Sequence, residues 1–519
     1  MAKDKNADSA VTRTRLGDKE EALAAFNKRI AATTDAARAE QKQARHDRGL
    51  RTARENLEQL IDGGSFLESG QFTVAAQRSR KSIEELINKT SNDGVITGLA
   101  TVNSQRFPTA DTQIALAIND YSVLAATQGY FHHKKLDRII AVAAQNKLPM
   151  IMYTEGGGGR PGDTDVQVNI TGLDVTTFSA WASLDTLKIA VNRGYCFAGN
   201  AVLFGCADVR IATRDSCIGM AGPAMIEGGG MGSFSPQQIG PAETQYRLGA
   251  IDFLADDELH AGHIARYFLG FAQGDEQQWS MADQSMLWEC LPEDRRYTYD
   301  ARKLIETLVD QDSFLEYQAG FGRALCTGFA RIEGKAVAIM LNDTRVMGGA
   351  LDRDASEKAC RFLALAERMQ LGLVSLCDTP GFMVGPESEN QGAVLACSRL
   401  FVAAAKLTIP VVCIVIRKAY GLGAMGMAGG DLFKPVYTAS WPTGEFGGMG
   451  PEGAVQLGFK KELEAAESDE ARKQLFEELL AKIYEKGKAT EIAAYLEIDA
   501  VIDPGSTREV ITSALAKHR

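Results

Sequence analysis

The stretch Val95-Ile-Thr-Gly-Leu-Ala-Thr-Val102 is written a second time as Leu325-Cys-Thr-Gly-Phe-Ala-Arg-Ile332. Further on, Ile118-Asn-Asp120 lies over Leu341-Asn-Asp343. Asn119 with Asn342 sets the offset, 342 minus 119, or 223. At that offset Lys135 meets Lys358, Arg138 meets Arg361 and Glu155 meets Asp378. Arg193 meets Arg417 one residue later, at 224. A register kept over so many chemically matched positions marks an internal duplication, and a duplication decides the architecture before any single element does.

Both copies carry the same pattern. An alternating apolar strand (Ile114-Ala-Leu-Ala-Ile118; Ala336-Val-Ala-Ile-Met-Leu341) leads through a small-residue loop to a helix. That helix has apolar positions three and four apart: Leu136, Ile139, Ile140 and Val142 in one copy, Ala359, Phe362, Leu363 and Leu365 in the other. A short apolar strand follows (Pro149-Met-Ile-Met-Tyr153; Gly372-Leu-Val-Ser-Leu376). It runs into Glu155-Gly-Gly-Gly-Gly-Arg160 or Asp378-Thr-Pro-Gly-Phe382. A second helix and strand then reach a second turn. Strand–helix alternation predicts an α/β fold with right-handed crossovers. Ligands belong at the carboxyl ends of such strands, where these turns fall.

Outside the copies, residues 20–60 are rich in Ala, Arg and Glu with few breakers, which predicts one or two exposed helices. Their charge run suits a solvated face or a subunit clasp. Residues 274–315 have the place of a linker, and 457–489, with its Glu/Lys pairs, predicts one exposed helix. The expected organisation is a helical extension at 1–60, a first domain at 61–275 and a second at 276–519. A net charge of -11 argues against a nucleic-acid partner, because phosphate binding needs a basic face. No apolar run approaches ~18 residues, so no membrane span is expected. The start, MAKDKNADSA, lacks an apolar signal core. Nine cysteines without a C-x-x-C pair suit neither a disulfide framework nor a four-Cys metal site, and a cytoplasmic location is expected.

Two turns bear on chemistry: Arg193-Gly-Tyr-Cys-Phe-Ala-Gly-Asn-Ala201 and Arg417-Lys-Ala-Tyr-Gly-Leu-Gly-Ala-Met425. Small residues let the backbone approach a ligand closely. If a helix follows, its first N–H groups are unpaired, and two of them aimed at one oxygen make an oxyanion hole. Acyl-CoA chemistry needs such a hole, because removing the proton beside a thioester carbonyl puts charge on that oxygen. The same turn serves equally well to pack a helix closely on a strand.

Gly194-Tyr-Cys-Phe-Ala-Gly-Asn200, closed by Asp208, resembles the turn of the enoyl-CoA hydratase (crotonase) superfamily. Over residues 45–505 the chain more closely resembles the carboxyltransferase β subunits of propionyl-CoA and acetyl-CoA carboxylases. The matching stretches are Leu57–Phe66, Asp93–Gly98, Asp354–Lys358, Asp378–Phe382, Arg417–Gly421 and Trp441–Glu445. The resemblance implies tandem crotonase-like domains of spiralling β-β-α units, with acyl-CoA bound by the first half and biotin by the second. It implies an active site between halves of different subunits, in a hexamer. Carried over by position, the N–H groups of Ala198 and Gly199 hold the thioester oxygen, and those of Leu422 and Gly423 the ureido oxygen of biotin. Gly157, Gly158 and Arg160 fall beside the CoA, where Arg160 offers one charge to a phosphate or sits in a structural turn. Gly381, Phe382, Tyr420 and Gly421 fall beside biotin. The resemblance implies no protein base and no metal in this chain.

Met425 stands where propionyl-specific relatives carry an acid, which suggests a more apolar or differently sized acyl pocket, or a residue that only packs. Ala198 and Asn200 stand where the family often has Gly and Ala. The chain has no biotin-attachment lysine and no Gly-rich ATP-binding region, so a separate biotin carboxylase and carrier are expected. A decarboxylase α subunit would run the same transfer backwards. A hydratase or isomerase would need acids at places held by Val202 and Gly222, with only Glu227 nearby. A non-catalytic scaffold would have no use for two intact turns. The acyl chain length is left open: acetyl, propionyl or longer.

Overall fold

The computed structural model describes residues 19–166 and 174–516. Seventeen strands lie among the described residues. In the first half they are β1 (Leu67–Ser69), β2 (Val95–Thr101), β3 (Gln113–Asn119), β4 (Met150–Tyr153), β5 (Lys188–Asn192), β6 (Tyr195–Phe197), β7 (Val209–Thr213), β8 (Cys217–Gly219) and β9 (Phe253–Ala255). In the second they are β10 (Leu315–Tyr317), β11 (Leu325–Ile332), β12 (Lys335–Asn342), β13 (Leu373–Thr379), β14 (Val411–Tyr420), β15 (Tyr437–Ser440), β16 (Glu445–Gly447) and β17 (Ala500–Val501).

The duplication is a duplication of topology. One sheet runs β1-β2-β3-β4-β5-β7-β9 and the other β10-β11-β12-β13-β14-β15-β17. In each, the first three strands are antiparallel and the rest parallel. β6 pairs β8 outside the first sheet, and β16 pairs the end of β14 in the second. The crossover helices Tyr130–Asn146 and Arg353–Met369 are each 17 residues long and stop at a left-handed residue, Lys147 or Gln370. These helices of equal length begin and end one offset of 223 apart. This is the crotonase-like α/β fold, with its helical extension.

The repeated charged residues are buried. Lys135 Nζ donates to the carbonyls of Asn92 and Val95, and Lys358 Nζ donates to that of Leu325 at 2.7 Å. Val95 and Leu325 open the equivalent strands β2 and β11, so each lysine ties its crossover helix to the head of a strand. Burial lowers these amines to about 7 and about 8.

Three expectations change. The segment 274–315 is no linker: its helix Ala301–Leu308 buries Leu304, Ile305 and Leu308 in the second core. That helix matches Ala53–Leu60, which precedes the first sheet. The extension is not all solvated either. Helix Lys19–Ala31 buries nothing, but Arg45 of the helix Ala39–His46 reaches Glu155 at 2.9 Å. Residues 457–489 form no single helix. Helices Pro451–Gly458, Lys460–Glu464 and Asp469–Gly487 are separate, and the Ser468 hydroxyl caps the last by accepting from Ala471 N–H. The two halves share a core in which Phe268 and Phe271 of helix Glu258–Gln273 pack on Phe329 of β11. No helix among the described residues is long and apolar enough to cross a membrane.

Candidate active site

At the carboxyl end of β6 the chain turns at Ala198 into the helix Gly199–Gly205. Ala198 has φ 51° and ψ -121°, a conformation that suits glycine. Its N–H donates to Gly219 O at 3.1 Å. The first bond inside the helix is Val202 N–H to Ala198 O, at 3.0 Å. The expected donor pair Ala198 and Gly199 is therefore corrected: the Ala198 N–H is occupied by β8, and the outward N–H groups begin at Gly199.

The Gly-rich loop lies directly against this turn. Gly156 N–H donates to Tyr195 O at 2.7 Å, Gly157 N–H to Ala125 O at 3.1 Å, and Gly158 O accepts from Gln128 N–H at 3.0 Å. Among the described residues no acceptor is bonded to the Gly158 N–H. A Cβ on Gly158 would stand 2.8 Å from the Ala198 methyl, so glycine is required for this approach. Gly157, Gly158, Ala198 and Gly199 are thus brought together from two segments some forty residues apart.

Arg160 is elsewhere, which corrects its expected role. Its guanidinium is buried and engaged by Asp93 at 2.5 Å and Asp163 at 2.8 Å. It also donates to Thr127 O at 3.3 Å. A cation so enclosed has no face left for a CoA phosphate, and its work is to lock the loop. Burial raises the Asp93 carboxyl to about 6 even beside this cation. Glu155, one residue before the loop, is pushed up to about 7 by burial against the pull of Arg45.

The second turn is built alike. β14 ends at Tyr420, and the helix Gly421–Met427 begins with Gly421 at φ 56°. Leu422 is 60% exposed and Gly423 is buried. A Cβ on Gly423 would stand 2.6 Å from Gly381 Cα, 2.7 Å from Gly381 C and 3.1 Å from Phe382 N. Gly381 itself, at φ 118°, is fixed by donating N–H to Thr379 Oγ1 at 3.1 Å and by accepting from Leu351 N–H at 3.0 Å. Gly381, Phe382 and Gly423 meet directly, whereas in the first half Gly158 meets the Ala198 methyl. Beneath them Asp378 accepts from Arg417 at 2.8 Å and lies 3.5 Å from Lys418. The Tyr420 hydroxyl donates to Glu445 at 2.7 Å, and burial with this bond raises its pKa. A cavity of about 540 Å³ opens beside the Tyr420 ring, lined also by Phe446, Met449, Leu457, Ile483 and Tyr484. Met425 is half-buried one turn into the helix.

Sequence reasoning missed the loop that faces each turn as a donor, and it missed β8 and β16. Their signal was present: Gly219-x-x-Gly222-Pro223 and Gly447-x-x-Gly450-Pro451 repeat at 447 minus 219, or 228, and each proline opens a helix. Glu227 is exposed on the first of these helices, and Val202 and Gly222 supply no acid.

Comparison with known proteins agrees with this geometry. The family described as Carboxyl transferase domain matches residues 44–518. The 12S subunit of methylmalonyl-CoA carboxyltransferase from Propionibacterium freudenreichii subsp. shermanii is 31% identical over 490 residues, covering 91% of this chain and 89% of its own. The crystal structure of a transcarboxylase 12S hexamer with methylmalonyl-CoA bound superposes with TM-score 0.85 at 27% identity, over 98% of this chain and 97% of that one. A single-chain, multi-domain long-chain acyl-CoA carboxylase superposes with TM-score 0.89 at 46% identity. That alignment covers 96% of this chain, which spans about half, 49%, of the larger protein. The chain belongs to the carboxyl transferase domain family, and it is an enzyme that transfers carboxyl groups.

Proposed function

We propose that the chain moves a carboxyl group between biotin, held on a separate carrier, and the α-carbon of an acyl-CoA. The observation that carries this reading is the apposition, in each half, of a loop and a helix-opening turn. Gly158 lies against Ala198, next to Gly199, and Gly381 and Phe382 lie against Gly423. Two oxygens gain negative charge in such a transfer, the thioester oxygen and the ureido oxygen of biotin, and two holes stand ready. A hydratase needs one hole and two acids.

The acyl-CoA belongs at Gly158 and Gly199, with Gly157 shaping the loop. Their N–H groups hold the thioester oxygen as the α-proton leaves, and each such donor is worth roughly 3–4 kcal/mol of barrier. The second half fits biotin: Phe382, Leu422 and Gly423 present N–H groups, Gly381 and Gly421 allow close approach, and the cavity beside Tyr420 is apolar enough for a ring and alkyl arm. Biotin, when bound, supplies the carboxyl group and accepts the α-proton, so no protein base is required. Biotin carboxylase and the carrier are partner chains or domains. The hexamer of the 12S relative supports the same assembly here. On this reading each site is shared between the halves of two subunits, in the cytoplasm. The 46% identity to a long-chain acyl-CoA carboxylase, together with Met425 in place of an acid, supports a long acyl chain.

The test is reconstitution with a biotin carboxylase and biotinylated carrier, ATP and bicarbonate, on acyl-CoAs from acetyl to palmitoyl. Carboxylation only in the presence of the biotinylated carrier, fastest on the long chains, is expected. Product formed without biotin refutes the reading, and a preference for acetyl-CoA refutes the chain length.

A further inference from the structure

Asn200 follows Gly199 directly, and its side chain is fully buried. Its Nδ2 donates to Gly157 O at 2.6 Å and to Ala126 O at 3.3 Å. Its Oδ1 accepts from Gln128 Nε2 at 2.8 Å and from Asn119 Nδ2 at 3.3 Å. An amide has two donor hydrogens and two acceptor sites, so these four bonds saturate it. One amide thus joins the start of the helix, the Gly-rich loop, the end of β3 and the segment 126–128.

Gln128 closes the same brace. Its backbone N–H donates to Gly158 O at 3.0 Å, and its carbonyl accepts from Arg160 N–H at 2.8 Å. Its side-chain oxygen lies so near Gly199 that a Cβ there would collide with it. A Cβ on Gly156 would collide with Asn200 Nδ2. The loop and the turn are therefore fitted around these two amides.

The second half has no such brace. At offset 224 Asn200 corresponds to Ala424, which cannot bond. Asn342, the counterpart of Asn119, turns instead to Gly349 O at 3.2 Å and accepts from Asp378 N–H at 3.1 Å. There the turn rests directly on the loop, Gly423 on Gly381 and Phe382. In the first half the Ala198 methyl stands between the backbones, and the amides set the spacing across it.

We propose that Asn200, supported by Gln128, is a positioning residue for the acyl side of the reaction, setting the separation of the Gly158 and Gly199 N–H groups. Both amides are buried and bonded within the protein, so they act through the backbone of the loop and the turn. The proposal rests on the carboxyltransferase reading and adds a determinant specific to the acyl half. Removing the Asn200 side chain frees Gly157 O to drift, and a misplacement near 1 Å at a reacting group costs on the order of 10²-fold in rate.

The experiment uses the full-length oligomer and follows carboxyl transfer to biotin methyl ester from α-carboxylated acyl-CoAs, both methylmalonyl-CoA and a long-chain homologue, with thermal unfolding, size-exclusion chromatography and calorimetric acyl-CoA binding alongside. Asn200→Ala is expected to lower kcat on the order of 10²-fold. KM and the binding constant should stay at wild-type values and the oligomer intact. Asn200→Asp, which keeps the acceptors but loses the bond to Gly157 O, should be impaired as strongly. Gln128→Leu should show the same split, and it decides the matter if both Asn200 variants fail to fold. Wild-type kcat in any folded variant overturns the proposal. So does a fall in kcat matched by lost acyl-CoA binding, the mark of a purely structural role. An inactive wild type would instead overturn the underlying function.

Discussion

Gly423→Ala is a one-carbon test of the proposed second hole. Gly423 does not have a positive φ, so alanine meets no backbone strain there. In a helix alanine is favoured over glycine by about 1 kcal/mol. The damage is therefore steric and local. The new methyl would stand 2.6 Å from Gly381 Cα, against an ordinary contact of 3.4 Å. Relief needs 3.4 minus 2.6, about 0.8 Å, of movement between turn and loop. The atoms in the way are backbone, already tied to Thr379 and Leu351, so no side chain can swing aside. A donor at ~2.9 Å would recede to ~3.7 Å, beyond useful hydrogen-bond range. Loss of one oxyanion donor costs on the order of 10²–10³ in kcat. Transfer to biotin methyl ester from the α-carboxylated acyl-CoA on which the wild type is fastest should fall by about that factor, with the oligomer and the KM for the acyl-CoA unchanged. Wild-type kcat in an intact Gly423→Ala oligomer would refute the assignment of this turn.

Arg160→Met removes the cation between two buried aspartates, Asp93 and Asp163, and should destabilise the chain by about 3–5 kcal/mol in urea unfolding. KM for acyl-CoA should stay unchanged at temperatures where the variant is folded; unaltered stability with a raised KM would return Arg160 to the phosphate. Lys358→Met tests a buried amine that burial lowers from 10.5 to about 8. Between those values the unfolded chain carries one more proton than the fold, so stability rises with pH across the window and is lost as pH falls through about 8. The variant should flatten that rise in unfolding midpoints, and an unchanged pH slope would show that Lys358 is charged in the fold.

The duplication was legible because its middle portion is rigid. Buried strands and 17-residue helices cannot gain residues without moving their buried faces, so the register holds from Asn119/Asn342 to Glu155/Asp378 and slips by a single residue at Arg193/Arg417. Its beginning was hidden by loops. Leu57-Glu-Gln-Leu-Ile-Asp-Gly-Gly-Ser-Phe66 matches Ile305-Glu-Thr-Leu-Val-Asp-Gln-Asp-Ser-Phe314, but at 305 minus 57, or 248. The first half then spends extra residues on the helix Ile83–Lys89. It spends more between β2 and β3, where the second half turns at Glu333-Gly334. The match is structural: Asp62 accepts from Asn103 and Ser104 N–H groups, as Asp310 does from Glu333 and Gly334. The misreadings share one cause. What occupies Arg160 lies 67 residues away at Asp93, and what occupies the Ala198 N–H lies on β8 at Gly219. A local pattern shows which groups are available and is silent about the distant partner that takes them.

The placement of charge around both loops bears on the mechanism itself. Glu155 is held by Arg45, Asp378 by Arg417 and Lys418, and Arg160 by Asp93 and Asp163. Each of these pairs is turned into the protein, beneath or beside a loop, Gly156–Gly159 in the first half and Thr379–Phe382 in the second. A buried ion pair gains little net stability, but breaking one is costly, so it resists displacement of the segment that bears it. A hole made of N–H groups depends on that resistance, because its donors work only over a few tenths of an ångström. It follows that charged residues repeated in both halves should affect rate through loop geometry, while the groups that meet the reacting oxygens are neutral and indifferent to side chain. The exposed Leu422 beside Gly423, and Ala198 where glycine would be less strained, show how far side-chain identity can vary once the backbone is held.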